Sequence, residues 1–520
     1  MSPVVVVVSK PGPAAPCPRA GGQASVAGRR LLTLAVMVGG GLAAPSWWAR
    51  GADLPPWPDG GREPSLRASA VFGAGMVLPS GRPVPVWGWG RPGRTVVVRV
   101  GEHQRQTTIA ADRTWQVKLP ALKPADSLAM TVSDGTDTLD HGSVAVADVK
   151  PLLAAVRGRL VDPRATPETV ALFHNLKCYS RHHTLVGQQD PDVSCTGEAG
   201  ETDIKRATGS DPAVWGSDFM HITHPSNDGT KNWFRDQEEK IVRLAAAAYD
   251  KGMVNVFCWH FREPFEEKTF EAKEMTAESR RKAFRSLLPG GEKHDWYRRK
   301  LAKVAAVATA IKGRDGTLAP IIFRPFHELD GDWFWWGKNY CSADEFRECW
   351  RFTVRHLRDE LSVHNLLYAF SPDCRFGTER EFLERYPGDE FVDVVGFDDY
   401  ADFEAGRAAA AAQKLAVVSA YARRHLKVAA LTEVGYRKRP VPPKLFTAAY
   451  GAALADPELE IAFMMFWRQG KLVDKAGYFV PVPGCDTIDD FLEFAGGPRP
   501  LFLSGVRHLY SIAAFHPLER

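Results

Sequence analysis

Cysteine is sparse in this chain and without pattern where it occurs. Its eight residues, Cys17, Cys178, Cys195, Cys258, Cys341, Cys349, Cys374 and Cys485, form no CxxC pair and no Cys/His metal spacing. That excludes a structural zinc site of the finger or ribbon type. An excess of charge is lacking too. The net charge is only +4, and Lys10, Arg19, Arg29, Arg30 and Arg50 all precede the first acidic residue, Asp53. The body of the chain is close to neutral, which argues against a nucleic-acid surface. The apolar stretch 31–44 is too short to span a bilayer comfortably, so stable membrane insertion is not expected.

The same stretch has the length of a signal h-region and follows Arg29-Arg30 directly, in the manner of a twin-arginine signal. Residues 1–52 are therefore expected to be a leader, with the protein exported to the periplasm or beyond. The remainder, 45% hydrophobic and 25% charged over the whole sequence, has the composition of a soluble globular protein and the length for two or three domains.

A Pro/Gly-rich linker, 53–65, leads into a stretch of short alternating runs. Val84–Trp89, Thr95–Val100, Arg105–Ile109, Trp115–Leu119 and Leu128–Val132 are separated by Gly, Pro and Asp turns. This pattern predicts a small antiparallel β-sandwich over 66–149. After a second linker, 150–165, the pattern becomes strand then helix, repeated. Apolar runs at 184–189, 213–219, 253–260, 321–326, 366–371, 392–397, 428–432 and 461–467 alternate with amphipathic stretches such as 296–312 and 342–360. Eight such strands predict a (β/α)8 barrel over 166–505, followed by a tail, 506–520. The fold class is α/β, a TIM barrel preceded by a β-sandwich.

A barrel of this kind displays its reactive groups at the C-terminal ends of its strands. Reading those ends gives Asp218, Trp259-His260, His327-Glu328, Asp373, Asp398-Asp399-Tyr400, Glu433 and Trp467-Arg468. Glu328 follows the fourth strand and is trailed by Trp333, Trp335 and Trp336; Glu433 ends the seventh. Strands four and seven face each other across the mouth. Two carboxyl groups about 5–5.5 Å apart there would suit a retaining glycosidase, one acting as nucleophile and one as acid/base. A tryptophan cluster beside them suits a flat, half-apolar sugar face.

The run Arg324-Pro325-Phe326-His327-Glu328, its tail Trp333-Phe334-Trp335-Trp336-Gly337, and the pieces Leu185–Gln189, Pro212–Asp218, Leu288–Glu292, Val394–Tyr400, Thr432–Gly435 and Asp489–Phe494 resemble family 26 glycoside hydrolases. Most members of that family are endo-β-1,4-mannanases. The resemblance implies that Glu328 is the general acid/base and Glu433 the nucleophile, with Tyr400 hydrogen-bonded to the nucleophile. It implies sugar contacts from His260, Trp333, Trp467 and Arg468, and from His327 unless that residue orients Glu328. Asp218 and Asp398 would contact substrate or support residues that do; Trp335 and Trp336 would pack. The implied substrate is mannan, galactomannan or glucomannan, and no cofactor is implied. Relatives acting on mixed-linkage β-glucan or β-1,3-xylan leave the polymer open, and a catalytically silent polysaccharide-binding protein is the alternative from another class. Asp330 and Gln469 stand where the family usually has Asn, and Cys485 where a His is expected.

The sandwich, through Phe72–Gly90, resembles the N-terminal domain of sialate O-acetylesterase-type esterases. Here Val146-Ala147-Asp148-Val149 runs into Lys150-Pro151-Leu152-Leu153 with no serine motif, so esterase chemistry has no nucleophile. The sandwich is read as a packing domain or, through Trp87 or Trp89, as a carbohydrate-binding accessory.

Overall fold

The structure, a computed structural model, describes residues 66–516 and 518, apart from 70, 74, 193–200 and 469–478. The expected leader and first linker, Cys195 and Gln469 lie outside the described residues. Eight parallel strands close on themselves in chain order: β9 (Thr184–Gln189), β10 (Val214–Asp218), β11 (Val254–Cys258), β12 (Ile321–Arg324), β13 (Leu366–Phe370), β14 (Val394–Asp399), β15 (Val428–Val434) and β16 (Phe463–Phe466). β16 pairs with β9, and β9 with β10, so no edge remains. All eight strands are buried along their whole length, because helices cover the outside and side chains fill the lumen.

The fourth strand is shorter than its apolar run suggests. It ends at Arg324, and Glu328 stands on the turn that follows. Phe326 and Glu328 both adopt left-handed backbone, with φ of 52° and 53°. Such a conformation costs a non-glycine residue on the order of 1–3 kcal/mol. Phe326 is fully buried against Phe261, Phe284 and Trp350, which is worth about as much. The Glu328 N–H donates to Ser371 O at 2.9 Å, anchoring the turn to the end of β13.

Ahead of the barrel, two sheets share an apolar core. One comprises β1 (Arg67–Ala68), β3 (Val84–Trp89) and β6 (Thr114–Leu119). The other runs in the order β2 (Val77–Pro79), β8 (Thr138–Ala147), β7 (Ala125–Ser133), β4 (Thr95–Val100) and β5 (His103–Thr108). Pairing is antiparallel except between β2 and β8. Alternation sends Val96, Val98 and Val100 of β4 inward. Trp87 is 1% exposed and packs on Phe72 and His508. Trp89 is half-buried, and its carbonyl accepts from Trp115 Nε1 at 3.1 Å. Trp87 is therefore a core residue and offers no face to a sugar.

The stretches expected as a second linker and a tail both carry structure. Lys150–Arg157 is a helix started by Pro151, where a missing N–H costs nothing. Residues 503–516 run along the N-terminal face of the barrel. The Leu503 N–H donates to Asp211 O at 3.0 Å, and Tyr510 Oη to Met253 O just before β11. Asn175 Nδ2 donates to the carbonyls of Leu509 and Ser511. Phe515 then pairs with Val77 of the sandwich. Apolar side chains in this segment, Val506, Leu509, Ile512 and Phe515, hold it there through burial, a cause that composition alone does not reveal.

Among the described residues, Cys178, Cys258, Cys341, Cys349 and Cys374 are buried free thiols. No described helix is long and apolar enough to cross a membrane.

Candidate active site

Arg324, the last residue of β12, is a fully buried cation in an otherwise apolar strand. Its Nη1 donates to Asp398 Oδ1 at 2.6 Å and to Ser371 Oγ at 3.2 Å, and its Nη2 donates to Glu433 Oε2 at 2.7 Å. Burial alone would weaken its charge, but Asp398 and Glu433 hold it firmly protonated. A slip in register between β14 and β15 sets Asp398 opposite Glu433 and turns both carboxyls toward the same guanidinium. Tyr400, just past β14, donates from Oη to Glu433 Oε1 at 2.8 Å. Each oxygen of Glu433 is thus held by one donor, which fixes its plane. Tyr400 fits this close because residue 435 is glycine: a Cβ there would lie 2.9 Å from the Tyr400 ring and 2.3 Å from Phe479.

Glu328 faces this group. One carboxyl oxygen each from Glu328, Asp398 and Glu433 lie within 4.8 Å of one another. Three acids so close, with one guanidinium between them, cannot all ionise. Burial, then the charges of Glu433, Asp398 and Asp373, push Glu328 well above the usual carboxylate range. The hydrogen bond from Trp333 Nε1 to Glu328 opposes this only in part. Burial also raises Asp398, against the pull of Arg324.

On the far side, His260 is held from two directions. Its Nδ1 donates to Asp218 Oδ2 at 2.7 Å, and its backbone N–H donates to Asp218 Oδ1 at 3.1 Å. Burial pushes Asp218 up, but these contacts with His260 more than offset it and leave its carboxyl below the usual range. With the Nδ1 proton given to Asp218, His260 Nε2 can accept from His327 Nε2, 3.1 Å away. His327 is 1% exposed, and burial keeps it neutral. It backs His260 and makes no hydrogen bond to Glu328, so of the two tasks expected of it, orienting Glu328 or facing sugar, the geometry favours neither. The ring of Trp467 stands half-buried 5.8 Å from His260, and Arg468, 47% exposed, reaches to within 4.0 Å of Asp190. Trp335 and Trp336 are buried and bond to backbone carbonyls.

Glu328, Trp333 and Tyr400 wall an open cavity of about 550 Å³. Asp330 lies beneath it, accepting from the Asp373 N–H at 2.6 Å, and burial beside Asp373 pushes it up to about 7. Near neutral pH it carries a proton part of the time and can then donate a hydrogen bond.

Two further clusters bring possible metal ligands together among the described residues: Asp218, Cys258 and His260, and Cys374, Asp399 and Asp402. In the first, burial keeps the Cys258 thiol protonated. In the second, Lys414 and Arg407 already supply positive charge to Asp402. Arg324 does so for the central carboxyls.

The sequence expectation named the residues that meet here, Glu328, Glu433, Tyr400, His260, Trp333 and Trp467, but it gave Arg324 no task. Its signal was available: an arginine inside Ile321-Ile322-Phe323-Arg324, a strand that is otherwise apolar. A cation in such a place is retained only with carboxylates to pair it.

The sequence profile described as Glycosyl hydrolase family 26 matches residues 161–453. A mannan endo-1,4-beta-mannosidase of Bifidobacterium adolescentis is 34% identical over 363 residues, covering 66% of this chain and 35% of that protein. One from Bacillus subtilis is 28% identical over 208 residues, 38% of this chain and 54% of that protein. The chain thus spans about a third of one mannosidase and about half of the other. Among solved structures, GH26C from Muricauda sp. MAR_2010_75 superposes with a TM-score of 0.67 at 47% identity, covering 69% of this chain and 98% of that one. A modular endo-beta-1,4-mannanase from Cellulomonas fimi does so with a TM-score of 0.62 at 34% identity, covering 68% and 80%.

Proposed function

Because this chain belongs to glycosyl hydrolase family 26, we propose that it is a retaining endo-β-1,4-mannanase acting on mannan, galactomannan or glucomannan. The observation that carries the mechanism is the approach of Glu328 and Glu433 oxygens to within 4.8 Å. An inverting enzyme holds its carboxyls about 6.5–9.5 Å apart to admit a water, and the closer approach of these two supports a retaining one.

Glu328, held protonated, donates to the departing glycosidic oxygen while a Glu433 oxygen attacks the anomeric carbon. Arg324 and Tyr400 hold the attacking carboxylate in a fixed plane. Formation of the glycosyl ester removes the negative charge of Glu433, one of the causes that raise Glu328. Glu328, left as a carboxylate by its own donation and no longer facing that charge, takes a proton from water, and the water oxygen attacks the anomeric carbon and releases Glu433. His260 on its Asp218–His327 support, with Trp467, would bind the sugar that becomes esterified. Trp333, touching the acid, would carry the ring that leaves. The names of the relatives support the choice of mannan over other polymers.

Export is part of the proposal. It rests on Arg29-Arg30 and the apolar stretch after it.

Reducing-sugar release on galactomannan, glucomannan, mixed-linkage β-glucan and β-1,3-xylan tests the substrate. Cleavage of the mannans, lost by at least about a thousandfold in Glu433→Gln, is the expected result. Activity confined to glucan or xylan would keep the mechanism and overturn the polymer. Binding without cleavage of any would favour a silent lectin-like protein.

A further inference from the structure

On the side of His260 and Trp467 the cleft presents Asp218 and the half-buried Asp190, with Arg468 4.0 Å from Asp190. The 550 Å³ cavity on the other side of Glu328 is walled by Arg375, Arg407, Lys414 and Arg437, against Asp373 and Asp402.

These cations are not fully spent on their partners. Asp402 alone accepts from both Arg407, at 2.7 Å, and Lys414. Arg375 has a single long contact, 3.3 Å, with Asp373. Arg437 donates from Nε and Nη2 to the two oxygens of Glu404, at 2.8 and 3.2 Å. Asp399, beneath the floor, is pushed up to about 7 by burial, and Glu328 keeps its proton. Neither fully offsets the positive wall near neutral pH. The three guanidinium side chains remain 46%, 59% and 59% exposed, with unsatisfied N–H groups free to take a ligand. Two of them lie on the rings that frame the acid: Arg375 is 4.8 Å from the Trp333 ring centre and Arg437 4.6 Å from that of Tyr400.

The cavity includes the proton donor Glu328 but neither Glu433 nor Trp467, so it receives the leaving-group half of the substrate. Resting on the mannanase reading above, we propose that this leaving-group pocket accepts sugars bearing an anionic substituent, a carboxylate or a sulfate ester, paired by Arg375, Arg407 and Arg437. Guanidinium forks match the paired oxygens of either group. A polymer decorated with acid groups would be the preferred target.

The test compares kcat/KM of the full chain on a mannan and on the same mannan with part of its primary hydroxyls oxidised to carboxylates, and on a sulfated sample. At low salt the anionic polymers should be cleaved at least about threefold better, and the gain should fade as ionic strength rises toward 1 M. The acid groups should appear next to the new non-reducing ends of the products. Arg407→Glu should lower kcat/KM on the anionic polymers at least about threefold more than on neutral mannan. Preference for carboxylate alone, sulfate alone or both supports the proposal and names the source. No preference, a preference untouched by Arg407→Glu, or acid groups at the new reducing ends would overturn it. Affinity electrophoresis of Glu433→Gln in gels holding either polymer reads the preference without cleavage. An inactive enzyme that still favours the anionic gel would sink the mannanase reading and leave the pocket standing.

Discussion

Glu328 is an acid whose environment favours the proton, and that has opposite consequences for activity and stability. For activity, the proton must be present, so kcat/KM falls as pH rises through the raised pKa of the free enzyme. For stability, the folded protein binds this proton more tightly than the unfolded chain. The stabilising contribution is whole below the unfolded value, about 4.3, and is lost as pH rises through the folded one. Glu328→Gln, which cannot ionise, should therefore melt at least about 1 °C above the native protein at pH 8 and no higher at pH 4, in paired thermal scans. Arg324 behaves in the opposite sense. Arg324→Met would leave Asp398 and Glu433 facing each other without a counter-charge. A loss of about 3–5 kcal/mol at pH 7 is expected, measurable by denaturant titration. It should shrink at lower pH as Asp398 takes up a proton. Equal losses at both pH values would show that packing, not charge, holds that strand end.

At the scale of elements, the site depends on close approach. Gly435→Ala forces its Cβ against Phe479 and the Tyr400 ring. Moving the tyrosine that orients Glu433 should cost kcat about tenfold to a hundredfold with little change in KM. A change in Tm without a change in kcat would refute that coupling. Elements whose apolar runs carry their own signal were legible in the sequence: the eight barrel strands, and β3, β4 and β6 to within a residue. β8 was not, because from Thr138 to Ser143 it is polar apart from Leu139 and at least partly exposed, and only Val144 and Val146 are fully buried. Phe326 continues the apolar run and so extends the expected strand to 326; the left-handed backbone it adopts instead is set by tertiary contacts that no local pattern encodes. The residues gathered around Glu433 were legible as a set. Their wiring was not, since Arg324 reaches across strands to carboxyls 74 and 109 positions away.

Across the whole molecule, sandwich and barrel share buried surface. Arg82 Nη2 donates to Ile512 O at 2.7 Å, His516 Nε2 bonds Val71 O at 2.8 Å, and Tyr179 Oη lies 3.2 Å from Ser69 Oγ. A single calorimetric transition is expected for the two together. Removing residues 506–520 should lower Tm by at least about 5 °C and expose apolar surface to a hydrophobic dye. Two separate transitions in the intact chain would contradict the shared core. The strap that ends in Phe515 also sets an order of events at the ribosome. The sandwich is translated first, yet its β2 waits for Phe515, near the end of the chain, and β9 waits for β16 before the barrel can close. Neither part can be finished until Phe515 and β16 have been made, so both stay open to mispairing over the same interval of synthesis.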